Sequence, residues 1–191
     1  MLPTPGFIKK LRLNYAYTQY QKRCKSHNLQ QLFWECTLRC NLNCLHCGSD
    51  CRTTSDMQDM PLEDFLVVLN DVRSTMDPRR VLVVTTGGEP LVRKDICSCG
   101  KAIRERGFHW GMVSNGLLLD EKMCTQLIES GLETIAISLD GFEDDHNWLR
   151  GNKRSFSMAV GYRGSFQYIL RIHISMNRSD RPKTFVRPWF W

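Results

Sequence analysis

A chain of 191 residues suits one domain, or one and a fraction, and its 42% hydrophobic and 24% charged residues are ordinary for a globular protein, which excludes a largely disordered or low-complexity chain. The first ten residues hold no apolar core of signal-peptide length, and no stretch approaches the roughly 18 to 20 apolar residues that span a bilayer, so the expectation is a cytoplasmic protein with no membrane partner. The formal net charge of +6 is uneven: Gly161 to Trp191 carries six basic residues and one acid, the first 160 residues 20 basic and 19 acidic, so the body is nearly neutral and gives no ground to expect a nucleic-acid partner.

In chain order, a helix is expected from about Phe7 to Ser26, basic over Lys9 to Lys25 and best read as a solvated face. Gln31 to Thr37 reads as a strand that ends in a cysteine-rich loop. Pro61 suits the first turn of a helix to about Met76, with Phe65, Leu66, Leu69 and Val72 at helical spacing. Val81 to Thr85 is a continuous, β-branched apolar run, the mark of a buried parallel strand, broken by Gly87-Gly88. The alternation continues with a helix from Lys94 to Arg106, a strand from Phe108 to Ser114, a helix from Asp120 to Ser130 closed by Gly131, and a strand from Thr134 to Leu139. Four strand-then-helix units predict an α/β fold, a parallel-sheet partial (β/α) barrel.

Ser155 to Val160 starts a further helix, and Phe166, Tyr168, Leu170, Ile172 and Ile174 alternate as a fifth strand would. The expected organisation is an N-terminal helical extension over 1–30, a core over 31–160 and an atypical basic tail over 161–191. A complete barrel needs more units, so the fold reads as incomplete at the C-terminus. The tail reads as the frameshifted or prematurely ended product of a longer gene.

Five of the nine cysteines fall between Cys36 and Cys51, and an odd count without a secretory signal fits a disulfide framework poorly. Cys40, Cys44 and Cys47 make a C-x3-C-x2-C run. Thiolates are soft ligands that favour iron–sulfur clusters, zinc or copper(I). Three thiolates on a cubane leave one iron open to a substrate. The alternative is a four-thiolate zinc site with Cys36 or Cys51 as the fourth ligand, to which a single short run is a poor fit. Every unusual residue follows a strand: the cysteines the first, Gly87, Gly88 and Glu89 the second, Asn115 the third, Ser138 and Asp140 the fourth. That edge carries the active site in parallel α/β folds.

The C-x3-C-x2-C run after one strand and Gly87-Gly88-Glu89-Pro90 after the next resemble the radical S-adenosylmethionine (radical SAM) superfamily over about Leu32 to Ser157. Val113-Ser114-Asn115-Gly116, Ile137-Ser138-Leu139-Asp140-Gly141, His146 and Arg150-Gly151 are similar to the SPASM-type branch, many of whose members modify peptides or proteins. The resemblance implies an iron enzyme of oxidoreductase character in which Cys40, Cys44 and Cys47 hold a 4Fe–4S cluster. One electron from an external reductant such as flavodoxin or ferredoxin would cleave SAM to a 5′-deoxyadenosyl radical, which abstracts hydrogen from a peptide or protein. It further implies that Gly87, Gly88 and Glu89 receive the SAM amino group, that Ser138 and Asp140 reach its ribose or carboxylate end, that Asn115 belongs to the same pocket, and that Arg150 pairs with the carboxylate. The residue before the third cysteine is often aromatic in this family; here His46 would stack on adenine. Cys36 and Cys51 read as bystanders, and His146 as either a surface residue or one that orients a loop before Arg150. Two other functions stay open: a catalytically inactive, truncated iron–sulfur or zinc protein, and an RNA-modifying radical SAM enzyme using the basic N-terminal helix.

Anaerobic reconstitution with iron and sulfide should give a brown protein with broad visible absorbance. Alanine at Cys40, Cys44 or Cys47 should abolish it; colour retained in all three variants, or zinc uptake without iron, contradicts the ligand set.

Overall fold

The computed structural model describes residues 5–26, 28–161 and 171–175. The chain divides into two compact units, Met1–Gln30 and Gln31–Trp191. The first is one helix, α1 (Pro5–Ser26), which opens on Pro5, where a missing N–H is no loss, and carries Lys22 and Lys25 near its negative C-terminal end. Among the described residues no helix is long and apolar enough to cross a membrane.

The second unit is a five-stranded sheet, all parallel, in the order of the chain: β1 (Gln31–Thr37), β2 (Leu82–Gly87), β3 (His109–Ser114), β4 (Thr134–Ser138) and β5 (Arg171–Ser175). Between the strands run α2 (Leu62–Thr75), α3 (Ile96–Glu105), α4 (Glu121–Glu129), α5 (Glu143–Arg150) and α6 (Ser155–Gly161). The expected α/β parallel sheet is therefore present, and a fifth strand from the segment read as a tail pairs with β4 from Thr134↔Arg171 to Ser138↔Ser175. Phe166, Tyr168, Leu170 and His27 lie outside the described residues.

Side chains alternate across a strand, and burial follows that period. On β1, Trp34 and Cys36 are buried while Phe33 and Glu35 are exposed; on β4, Ile135 and Ile137 are buried while Thr134, Ala136 and Ser138 are half-buried. The buried set meets the helices. Trp34 stacks on Phe65 of α2 with ring centroids 4.0 Å apart. Leu69, Ile96, Ile103 and Leu127 are fully buried, each worth about 1.5–3 kcal/mol of transfer free energy.

Two features depart from the sequence reading. Residues read as a loop before Arg150 form α5, whose three acids in the first turn and Arg150 in the last complement the helix dipole, and which ends on Gly151 at φ 63°. His109, without an evident partner in sequence, bonds Glu133 Oε2 at 2.6 Å and the Arg79 carbonyl at 2.9 Å.

Gly100 on α3 lies under the Trp110 ring of β3, where an added Cβ would stand 2.0 Å from ring carbon. Trp110 is immobilised there, its Nε1 donating to Thr85 Oγ1 at 3.2 Å. Gly100→Ala should therefore destabilise the fold by about 1–3 kcal/mol, the usual cost of overpacking, seen as a lowered thermal midpoint.

Candidate functional site

The site is built where β1 and β2 end. Gly88 N donates to Thr37 O at 2.8 Å and Glu89 N to Arg39 O at 3.0 Å, continuing the pairing beyond the sheet. The approach leaves no room for a side chain: an added Cβ would come 2.2 Å from Thr37 O at Gly87 and 2.2 Å from Arg39 O at Gly88, and Gly87 also holds φ 116°. The sequence reading gave these glycines to a close approach of ligand; the structure shows that the backbone of the cysteine loop already demands them.

The loop after β1 is anchored on both sides. Cys40 N donates to Arg52 O at 2.7 Å, and Leu45 N donates to Leu149 O of α5 at 2.8 Å. Thr37 Oγ1 donates to Asp59 at 2.6 Å, and Arg39 pairs with the same carboxylate. Behind it, the buried Arg93 guanidinium donates to Cys36 O at 2.6 Å and Met60 O at 2.9 Å, pairs with Asp95, and lies 5.1 Å from the Trp34 ring centroid. Arg93 was not singled out in the sequence, because no motif marks a structural arginine whose partners lie in distant segments.

A cavity of about 240 Å³ opens over this edge. The thiols of Cys40, Cys44 and Cys47 line it, with His46 and Cys51 from the loop, Thr86 to Gly88 from β2, Ser114 and Asn115 from β3, Ser138 from β4 and Arg150 from α5. Four separate strand ends thus meet in one place. Cys51, read as a bystander, is brought to this cavity and its amide donates to Cys47 Sγ at 3.3 Å. Cys36 is not: it is buried behind β1, with its thiol on Thr86 O at 3.4 Å and pushed up to about 12 by burial.

Two carboxylates expected to reach a ligand are engaged by protein groups, Glu89 at the end of β3 and Asp140 by two residues of the cavity wall. Glu89 is fully buried and outside the cavity lining; it accepts from Ser114 Oγ at 2.8 Å, Asn115 N at 2.7 Å and Leu91 N at 3.2 Å. The reason is geometric: the tight Gly87-Gly88 turn aims the next side chain at the end of β3. Asp140 also lies outside the lining, its carboxylate holding Arg150 Nε and standing 3.6 Å from His46 Nε2. His146 is fully buried rather than a surface residue. Its Nδ1 accepts from Asp140 N at 3.1 Å and its Nε2 donates to Ser155 Oγ at 3.0 Å, the arrangement of a neutral ring. Burial, and then the Arg150 charge, hold its pKa below the usual histidine range. Ser155 was not picked out as a site residue in sequence, and Ser114 was quoted in a motif without a role; neither carries a structural signal until its partner is in place.

Burial pushes the Cys40 and Cys44 thiols up, with the Arg150 guanidinium opposing it at Cys44. The donor set fits a polyatomic thiolate-bound cluster: three thiols share one cavity many times the roughly 30 Å³ share of a water, and beside Cys40 the buried Asn41 Nδ2 has no partner among the described residues.

A parallel α/β sheet with three thiols and a glycine turn at its carboxyl edge defines a cluster-binding α/β core. The model of the radical SAM superfamily matches residues 34–185, and the chain belongs to that superfamily of enzymes, whose cofactors are a 4Fe–4S cluster and S-adenosylmethionine. The chain is 31% identical over 151 residues to the Fe-coproporphyrin III synthase of Methanosarcina barkeri (strain Fusaro / DSM 804), covering 75% of this chain and 37% of that protein. It is 27% identical over 128 residues to the AdoMet-dependent heme synthase of the same organism, covering 66% and 36%. The chain thus spans little more than a third of the length of these curated relatives. Among solved structures it is similar to native anSMEcpe with bound AdoMet (TM-score 0.61, 20% identity, 76% of this chain and 43% of that one) and to Streptococcus suis SuiB bound to the precursor peptide SuiA (TM-score 0.60, 21% identity, 90% and 38%), likenesses that show the fold alone.

Burial raises the Glu89 pKa from 4.5 to about 7. A carboxyl raised in the folded state contributes stability that is complete below its unfolded pKa and lost as pH rises through the folded one. The stability of the apoprotein relative to Glu89→Gln should accordingly fall between pH 4.5 and about 7 and level off above, in urea titrations across that range.

Proposed function

We propose that this chain is the core of a radical SAM enzyme that cleaves S-adenosylmethionine reductively and abstracts hydrogen from an organic substrate. The observation that carries it is the convergence of Cys40, Cys44, Cys47, the Gly87-Gly88 backbone and Ser138 on one cavity. When bound, the cluster supplies one electron and SAM the 5′-deoxyadenosyl group that takes the hydrogen. The chain's part is to bind, orient and exclude water. Cys40, Cys44 and Cys47 hold the cluster. The Gly87-Gly88 backbone takes the ammonium end of SAM, Ser138 the ribose or carboxylate end, and Arg150 the carboxylate. His46, on the cavity wall, lies against the adenine. Glu89 and Asp140 act at one remove, fixing the β3 end and Arg150. An external one-electron reductant of the flavodoxin or ferredoxin type completes the system.

For the substrate, the curated relatives move the reading away from a peptide or protein. The relatives named for iron-coproporphyrin and heme match at 31% and 27% identity, while SuiB, solved with a peptide, resembles the chain at 21%. A porphyrin-type tetrapyrrole is therefore the favoured substrate class.

The test is anaerobic reconstitution, reduction with dithionite and chromatography of the products. The reading expects 5′-deoxyadenosine and methionine, with more formed when a coproporphyrin is added than when a peptide is. Cluster uptake with no SAM cleavage would establish an inactive binding protein instead. Ser138→Ala should weaken SAM binding roughly 2- to 12-fold, the loss of one neutral hydrogen bond of about 0.5–1.5 kcal/mol, with iron content unchanged in equilibrium dialysis.

A further inference from the structure

Each of the three motif thiols faces one N–H group from a different part of the fold. Asn115 Nδ2, at the end of β3, is 3.8 Å from Cys40 Sγ. Arg150 Nη1, at the end of α5, is 3.8 Å from Cys44 Sγ. The Cys51 amide, in the loop itself, is 3.3 Å from Cys47 Sγ.

The two side-chain donors are held in place. Asn115 accepts at Oδ1 from Leu117 N at 2.9 Å, donates also to Asn41 Oδ1 at 2.8 Å, and its own amide is bound by Glu89. Arg150 is anchored through Nε on Asp140, with a side chain only 13% exposed. Neither is a surface group that swings past the thiols. An N–H directed at a ligating sulfur draws electron density from it and favours the cluster state with the extra electron. A buried guanidinium does so with a full, permanent charge.

Resting on the cluster reading above, we infer that Asn115 and Arg150 are positioning residues that set the reduction potential of the cluster through Cys40 and Cys44, and that this is separate from any contact they make with SAM. Two of the three donors come from β3 and α5 rather than from the cysteine loop. The potential is then fixed only when those elements are packed against the loop, and the loop alone would hold a cluster that is harder to reduce.

The experiment is an EPR-monitored redox titration, without SAM, of reconstituted wild type, Asn115→Asp, Arg150→Met and Arg150→Lys. Asn115→Asp keeps the acceptor for Leu117 N and replaces the N–H donor with a negative charge. Arg150→Lys keeps the charge and loses the fixed fork, and it decides the question should Arg150→Met fail to assemble. Iron and sulfide content should stay at wild-type level. The midpoint should fall in Asn115→Asp and Arg150→Met, and fall less in Arg150→Lys. Midpoints equal to wild type with full iron content overturn the inference, as does an effect confined to SAM affinity in a parallel dialysis. Failure of the wild type itself to take up iron and sulfide would instead overturn the cluster reading on which the inference rests.

Discussion

The end of β2 runs so close to the end of β1 that no side chain fits between them, and the site depends on this contact. Cβ atoms at Gly87 and Gly88 would stand 2.2 Å from the carbonyl oxygens of Thr37 and Arg39, respectively. The two hydrogen bonds made there, from Gly88 N and Glu89 N, are individually worth about 1 kcal/mol. Their larger effect is positional. They carry the sheet's pairing past the last ladder pair, Thr37↔Gly87, and lock the first residues of the cysteine loop to a rigid strand. The start of the loop thereby becomes an extension of the sheet, which sets Cys40 beside the strand ends. Supporting groups of this kind are what a preorganised site requires.

From that contact the constraint passes along the sheet edge by buried polar links. The turn after Gly88 directs Glu89 inward, where its carboxylate ties β2 to Ser114 and Asn115 of the β3 end. Burial makes this carboxylate costly to ionise and outweighs its three donors and the charge of Arg150, which explains its raised pKa. The next link joins β4 to α5 and α6: His146 bridges the Asp140 amide and Ser155, and Asp140 holds Arg150. The groups facing the cavity include cysteines, glycine backbone, serine and threonine, the Asn115 amide, an imidazole and a guanidinium, with Leu42 and Val113 beside them. Such a lining suits a thiolate-bound cluster and a ligand bearing both an ammonium and a carboxylate.

The cysteine loop and the cavity-lining residues from β2, β3 and β4 sit at the carboxyl ends of four adjacent strands, joined by Arg150 from α5, within the family match.

Sequence by itself determined the order of strands and helices, their parallel pairing and the edge on which the site lies. These follow from local signals: β-branched runs, glycine stops and a helix period, all readable from neighbours in the chain. It also determined the three thiols, because a C-x3-C-x2-C run keeps its ligands within one loop. Only the tertiary structure decided which of the polar residues face the cavity. Ser138 lines the cavity, whereas the Glu89 carboxylate is buried against the end of β3 and the Asp140 carboxylate holds Arg150, because the direction of a side chain after a tight turn is set by what packs beside it. The same holds for Cys51 and Cys36, equally spaced from the motif, one brought to the cavity by the loop's fold and the other placed on the buried face of β1 by strand alternation. Arg93 and Ser155 owe their roles to partners far off or unremarkable in the chain, and although Ser114 and His146 stand in quoted motifs, their partners and burial became visible only in the fold.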